Sequence, residues 1–324
     1  VAVYTSITSA ELSQLLADFD LGTLSHFDGI EGGIENTNYF VTLLLRGQKK
    51  EYVLTIFEEL TSEEMPFFVE LGHWLAERNI PVPYAIRDKN GIALKQLKGK
   101  PAFLQPRFYG ADVPATQLRP YHCFQIGEAL ARFHQAGSDF YLQRQAHRGV
   151  FWWRREAQAI AHRLSPEDAN LLNQEVLAFD KLRDANWDLP TGVIHGDLFH
   201  DNALFLDDKL EAILDMYNAA TAYQLYDLAI VANDWCSRPD CSIDTERETA
   251  LLEGYAQIRA FTADEARAWP ILTRTAAMRF WLSRLIPWLG IAQASRQGGE
   301  MKLKDPQQYK NILLSRLSTP AKLG

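Results

Sequence analysis

Two carboxylates and an amide, spaced so that they could meet, carry the chemistry that stands out in this sequence. The stretch Val193–Phe205 holds His195-Gly196-Asp197, and then Asn202, between two short apolar runs; Ile213-Leu214-Asp215 follows closely. Asp207-Asp208 reads as a turn pair, so Ala203–Leu206 and Leu210–Leu214 are predicted to form a hairpin. That hairpin would return Asp215 to the neighbourhood of Asp197 and Asn202. Hard oxygen donors converging on one point suit a divalent cation and phosphate groups, and a spare carboxylate can accept a proton from a hydroxyl. Asp and Asn also populate ordinary turns; here the spacing and the flanking strands favour the chemical reading.

The elements that must position these groups can be read from periodicity. Thr8-Ser9-Ala10-Glu11 opens a helix as a capping box, with Leu12, Leu15, Leu16 and Phe19 at helical spacing. Phe27–Leu43 resembles two strands joined by a Gly-rich loop, which could either cradle phosphates or simply turn. Glu51–Glu58 is predicted as a third strand and Met65–Asn79 as a helix. A small strand–turn–strand is expected around Asn90-Gly91, then a strand over Pro101–Gly110 that runs out into a connector. Beyond it helices dominate: Gln117–Gln135, Trp152–Leu164, Pro166–Leu182, Tyr226–Trp235, Thr245–Arg259, Ala263–Ile286 and Pro306–Leu317. His134 reads as a packed helix-end histidine. The expected class is α+β with two lobes: an antiparallel sheet lobe over 1–107 and a larger, mostly helical lobe over 108–324.

Composition narrows the function. With 324 residues the chain is long enough for two lobes, and 47% apolar with 23% charged residues is ordinary for a globular protein. Lys and Arg number 33 against 41 Asp and Glu, a net charge of −8 that argues against nucleic acid or an anionic membrane as the main partner. No apolar run approaches the roughly 18 residues of a membrane span, and no basic segment followed by an apolar core opens the chain. Cys123, Cys236 and Cys241 have neither zinc spacing nor an even-numbered framework, so reduced thiols and a cytoplasmic location are expected. Oligomeric state is not legible.

The protein-kinase catalytic loop is H-R-D-x-x-x-x-N. The form found here, with Ile213-Leu214-Asp215 behind it, resembles the aminoglycoside phosphotransferase and choline kinase family, which has a two-lobed protein-kinase-like fold. That resemblance implies Asp197 as catalytic base, His195 as support for the loop, Asn202 and Asp215 as Mg²⁺ ligands, and Asp227 in Tyr226-Asp227-Leu228-Ala229 as a brace behind the loop. It implies ATP on the N-terminal lobe, at Gly32, Gly33, Asn36, Asn38 and Thr55. Most members have a lysine, sometimes an arginine, where Thr55 stands in Val53-Leu54-Thr55. Lys49 and Lys50 could replace that charge only if their hairpin folded them back.

One member group, the homoserine kinases of this fold, is closer still. Its likeness covers Val1–Thr5, Gly33–Tyr39, Tyr52–Glu58, Met65–Phe68, Gly127–His134, Val193–Asn202, Tyr226–Ile230, Arg279–Leu285 and Lys304–Pro306. This implies ATP-dependent phosphorylation of the side-chain hydroxyl of L-homoserine, on the route to threonine. Such an acceptor brings a carboxylate that wants a guanidinium fork; Arg279 and Arg284 supply either that or an ordinary ion-paired helix face. Tyr217 and Trp235 either wall the acceptor pocket or pack in the core. For the ammonium, Glu35 and Asp234 are both conceivable and neither is selected. A kinase for choline, an amino sugar or a thio-sugar is the alternative in the same class. A nucleotide-binding regulator without catalysis, suggested by Thr55, is another. A metal-dependent phosphoesterase would leave the two-lobe plan and the Gly-rich hairpin without purpose.

Overall fold

The computed structural model describes residues 3–30, 35–291 and 303–323. The chain separates into two compact units, one running to Tyr109 and the other starting at Gly110. Gly32 and Gly33 lie outside the described residues.

The first unit is a sheet with two helices. Helix α1 (Ser9–Leu16) starts with the reciprocal capping box, Thr8 accepting from the Glu11 amide and Glu11 from the Thr8 amide. Strands β1 (Thr23–Gly29), β2 (Asn36–Leu45), β3 (Gln48–Phe57), β4 (Lys95–Leu97) and β5 (Lys100–Pro106) pair antiparallel in the order β1-β2-β3-β5-β4. Alternate residues Tyr39, Val41 and Leu43 of β2 join Leu54 and Ile56 of β3 in a core with Leu12, Leu15 and Leu16 of α1. Helix α2 (Met65–Ala76) buries Phe68, Leu71 and Leu75. Asn90-Gly91 does turn, but the residues flanking it do not pair as strands. Asp88 takes the amides of Asn90 and Ile92 at 2.8 and 2.9 Å, so these donors are spent within the turn. The hairpin nearby turns instead at Lys98-Gly99, between β4 and β5.

The second unit is mostly helical. It contains α3 (Pro120–Gly137), α4 (Val150–Ile160), α5 (Pro166–Asp184), α6 (Gln224–Trp235), α7 (Thr245–Ile258), α8 (Ala263–Trp288) and α9 (Pro306–Ser318). Two small ladders interrupt the helices: β6 (Thr191–Ile194) with β9 (Ala220–Tyr223), and β7 (Ala203–Leu206) with β8 (Lys209–Ile213). Helix α6 runs through the core; each of its residues except Asp234 is buried, the polar Gln224, Asp227 and Asn233 included. Its own Trp235 is fully enclosed, as are Trp269 and Trp281 of α8. The three cysteines are free and buried. Among the described residues no helix is long and apolar enough to cross a membrane.

Helices α3 and α7 meet at unusually short range. A Cβ on Gly127 would stand 2.2 Å from the Leu251 carbonyl oxygen, and one on Gly254 would stand 2.1 Å from that of Phe124. Only glycine at both places lets the backbones touch. This crossing fixes His134 on α3 beside Tyr255 on α7. Gly127→Ala must therefore push the helices apart, and we expect a loss of about 2 kcal/mol in urea unfolding, typical of overpacking. A loss under about 0.5 kcal/mol, the ordinary scatter of surface changes, would show that the crossing yields freely.

Candidate active site

A buried carboxylate holds the loop in place. Asp227 on α6 is fully enclosed and accepts three hydrogen bonds. The His195 amide donates to Oδ2 at 2.8 Å and the Gly196 amide to Oδ1 at 2.8 Å. The His134 ring contributes Nε2 at 2.9 Å from Oδ2. Burial by itself would raise the Asp227 carboxyl, but the hydrogen bond from His134, the imidazoles nearby and the Gly196 amide outweigh it, and the net direction is down. The carboxylate therefore stays ionised where two backbone N–H groups need an acceptor.

Behind Asp227 the hydrogen bonds continue in one direction. Tyr255 Oη lies 2.7 Å from His134 Nδ1, and Arg259 reaches the same oxygen from Nε at 3.2 Å and Nη2 at 3.1 Å. Arg259 can only donate, so the Tyr255 oxygen accepts from it and sends its own hydrogen to His134 Nδ1. His134 is then left with Nε2–H for Asp227. Glu265, fully buried, closes the chain with two bonds from Arg259, at 3.0 and 2.6 Å. Read from sequence, His134 was one residue at a helix end. Its ring partners come from α6 and α7, and no local spacing signals them.

The loop itself is set by His195 and Gly196. His195 is wholly buried, with Nε2 2.8 Å from the Leu214 carbonyl and Nδ1 3.2 Å from the Asp197 amide. Both ring nitrogens are thus committed, Nε2 as donor and Nδ1 as acceptor. Burial pushes its pKa down despite the nearby Asp227, which fits the neutral ring that this pairing needs. The imidazole shapes the loop and has no free nitrogen with which to move a proton. Gly196 sits at φ +79°, where a Cβ would stand 2.7 Å from the Asn218 carbonyl oxygen, so a side chain is excluded by strain and by space together.

Asp197 follows, half-buried. Its carbonyl oxygen accepts from the Phe199 amide at 2.9 Å and from Asn202 Nδ2 at 2.8 Å. That bond turns the Asn202 amide so that its oxygen is left for another partner. The β7–β8 hairpin pairs Ala203 with Ile213, and the Leu214 amide reaches the Asn202 carbonyl at 2.8 Å. Asp215 comes next, in the left-handed region at φ 58°, beside Asn202. The hairpin's tight turn has Asp207 at φ 47° and Asp208 at φ 61°, the twist that two-residue loops require. Gln125 of α3 clamps it through the Asp208 carbonyl at 2.8 Å and the Leu210 amide at 3.0 Å. Among the described residues no group of three or more His, Cys, Asp or Glu side chains is arranged to hold a metal. One carboxylate and one amide oxygen nevertheless suit Mg²⁺, which binds through few protein ligands when substrate phosphates complete its shell.

The residues proposed for the acceptor part company. Trp235 is a correction: it is fully enclosed, and its indole N–H donates to the Leu198 carbonyl at 3.0 Å. It underpins the loop from within the core and does not line the cavity that Tyr226, on the same helix, helps to form. Tyr217 is half-exposed on the single 3₁₀ turn Met216–Asn218 after Asp215. Arg279 is 4% exposed, stacks on Phe280 with 3.8 Å from guanidinium carbon to ring centre, and lines a cavity of about 330 Å³ with Trp153, Phe179, Tyr226 and Asn218. Burial pushes the Tyr226 hydroxyl there up to about 12. Arg284 lies elsewhere, over the Tyr309 ring at 4.4 Å.

Within the sheet unit, Thr55 is buried on β3 opposite Asn38. Its hydroxyl donates to Asn38 Oδ1 at 2.7 Å and accepts from Gln105 Nε2 at 2.8 Å. The Asn36 side chain accepts from the Glu58 amide at 3.4 Å. Lys49 and Lys50 are exposed at the start of the same strand, opposite Leu44 and Leu43. At about 3.3 Å per residue they stand roughly 17 Å or more from Thr55 along the strand, so the hairpin does not fold them back.

Asp227→Asn tests the brace. Replacing the buried anion should cost about 3 kcal/mol at pH 7, the scale for breaking a buried charged pair. Because folding depresses this carboxyl, its contribution is complete above the ordinary aspartate pKa of about 4 and fades as pH falls below it. Parent and variant should therefore differ by this amount at pH 7 and draw together as pH falls below about 4. A gap that does not change with pH would mean that Asp227 is not ionised in the fold.

With this geometry in hand, comparison places the chain among known proteins. Residues 26–261 match the model of the phosphotransferase enzyme family. A homoserine kinase of Pseudomonas aeruginosa is 42% identical over 320 residues, covering 98% of this chain and 96% of that protein. One from Methylobacillus flagellatus is 42% identical over 314 residues, covering 97% and 94%. In structure the chain resembles an amicoumacin kinase at TM-score 0.67 and 15% identity, covering 96% and 93% of the two chains. It also resembles a choline kinase of Cryptosporidium parvum at TM-score 0.65 and 12% identity, covering 96% and 95%. The fold is thus protein-kinase-like, and the chain belongs to the phosphotransferase enzyme family.

Proposed function

We propose that the protein transfers the terminal phosphoryl group of ATP to the side-chain hydroxyl of L-homoserine. The observation that carries this reading is the loop held by Asp227, which presents Asp197 and Asn202 with Asp215 beside them. The name of the acceptor is supported by relatives called homoserine kinases, similar over nearly the whole chain.

Asp197 accepts the proton of the acceptor hydroxyl as its oxygen attacks phosphorus. Its half-buried carboxylate is fixed from the backbone side by His195 and Asn202, so the cost of orienting it is met in folding. Asn202 and Asp215 are the residues that would hold Mg²⁺, which when bound neutralises phosphate charge. The sheet unit, including Gly32, Gly33, Asn36, Asn38 and Thr55, is assigned to the nucleotide. Thr55 cannot stand in for the missing lysine: it is neutral, and its hydroxyl already serves Asn38 and Gln105. Work on the pathway to threonine, in the cytoplasm, goes with this reading.

Incubation with Mg-ATP and a panel of homoserine, serine, threonine, choline and amino sugars should give ADP release that depends on homoserine. Release that follows choline or an amino sugar instead would replace the acceptor, and none at all would remove the catalytic reading. Asp197→Asn should keep nucleotide affinity and lose about 10²–10⁴ in kcat, the usual share of general-base help. Retention within about tenfold would deny Asp197 that role. Asp215→Ala should instead weaken the binding of metal with nucleotide, seen as a displaced Mg²⁺ titration of ADP release. An unmoved titration would separate Asp215 from the metal.

A further inference from the structure

One cluster near Asp197 has hydrogen-bonding capacity that the fold leaves unused. Asp234 is the sole residue of α6 that is not buried. Its Oδ2 takes the His200 amide and the His200 Nδ1, both at 2.7 Å. Its Oδ1 has no partner among the described residues. Arg284, on α8, spends one Nη on the Asp305 carbonyl at 3.0 Å and on Gln308 at 2.7 Å. The rest of its guanidinium has no hydrogen bond among the described residues. Tyr309, on α9, is 1% exposed, yet its hydroxyl has no partner among them. A buried tyrosine hydroxyl normally finds one, because leaving it unmade is costly.

These three come from three helices and share one neighbourhood. The Tyr309 ring lies under Arg284 and stacks on Phe199 at 6.0 Å and 15°. Phe199 is two residues past Asp197, and its ring also meets Phe280 at 4.7 Å. Helix α9 is fastened to α6 one residue from Asp234, where Arg316 donates to the Asn233 side chain at 2.9 Å. Burial pushes the Tyr309 hydroxyl well above its ordinary range, and the carboxylates of Asp234 and Asp197 push it the same way. Burial lowers the Arg284 guanidinium, while Tyr309 and the same two carboxylates oppose that. The carboxylates of Asp197 and Asp234, the Arg284 guanidinium and the Tyr309 hydroxyl thus act on one another.

We propose that Asp234, Arg284 and Tyr309 clamp the amino-acid end of the acceptor, Asp234 taking its ammonium, Arg284 its carboxylate and Tyr309 a further hydrogen bond, with the acceptor hydroxyl toward Asp197. This rests on the homoserine reading and says how it is selected. A charged fork suits carboxylate and a lone carboxylate oxygen suits ammonium. Choline and an amino sugar offer a cation but no carboxylate, and a thio-sugar offers neither, so the clamp selects a zwitterion with a side-chain hydroxyl.

The test compares three acceptors in steady state: homoserine, 4-hydroxybutanoate without the ammonium, and 3-aminopropan-1-ol without the carboxylate. Asp234→Asn should shrink the preference for homoserine over 4-hydroxybutanoate by about 10- to 100-fold, as expected for a lost charged hydrogen bond. Its preference over 3-aminopropan-1-ol should stay. Arg284→Met should show the converse, and it leaves the His200 contact of Asp234 intact. Tyr309→Phe removes only an unpaired buried hydroxyl, so Tm should not fall, whereas KM for homoserine should rise about fivefold or more with kcat near the parent value. Variants that slow all three acceptors equally would overturn the clamp, as would Tyr309→Phe with an unchanged KM. If the parent itself turns over no homoserine, the acceptor reading fails first and takes the clamp with it.

Discussion

Everything in the site depends on a carboxylate placed where water cannot reach. Burying an anion is costly unless hydrogen bonds replace hydration. Asp227 meets that condition with two backbone amides and one imidazole. The same bonds solve a second problem, since the amides of His195 and Gly196 are themselves buried donors that need an acceptor. Loop and helix therefore satisfy each other, and neither arrangement is tolerable alone. Gly196 is forced into the left-handed region by this geometry, and the Asn218 carbonyl leaves no room for any other residue.

The requirement then spreads outward through the second unit. His134 must be placed to donate to Asp227, and Tyr255 and Arg259 order its ring. Arg259 in turn is neutralised by Glu265, which also completes the capping box at the start of α8. A helix terminus, an ion pair and a helix crossing thus bear on one loop. The close approach of α3 and α7 at Gly127 and Gly254 is what permits His134 and Tyr255 to meet, so two glycines far from Asp197 belong to the same construction. Removal of any link leaves a buried polar group without its partner, which is costlier than the bond itself is stabilising.

Legibility in the sequence followed the range of the interaction. The hairpin behind Asp197 was readable because Asp207-Asp208 is local turn chemistry and the flanking runs are short and apolar. The helices of the second unit were readable from periodicity, and the capping box at Thr8 from four residues. The same local reasoning failed at Asn90-Gly91, where the Asp88 side chain takes the amides of the turn. It left open whether Trp235 walled a pocket, because helix burial on all sides is a property of neighbours and not of spacing. Asp227 could be named through a family resemblance, but its partner on α3, His134, could not. Tyr309 carried no signal at all: a tyrosine on the inner face of a predicted helix looks like packing until its hydroxyl is found without a partner.

The distribution of polar groups around Asp197 explains why one scaffold can serve different acceptors. On the side of Asp227 the main donors and acceptors of the loop are matched within the protein, and His195 has nothing left to offer a ligand. Toward Phe199 the pattern reverses, with Asp234, Arg284 and Tyr309 each keeping capacity in reserve. Matched groups stabilise and fix geometry, whereas unmatched ones cost stability until a ligand meets them. A substitution behind the loop therefore touches folding and the reaction together. On the proposed clamp, a substitution near Phe199 changes which molecule is accepted while the reaction stays the same. In the proposed reading the phosphoryl-transfer machinery and the choice of acceptor fall to separate sets of residues, joined at the single point where Asp197 would meet the acceptor hydroxyl.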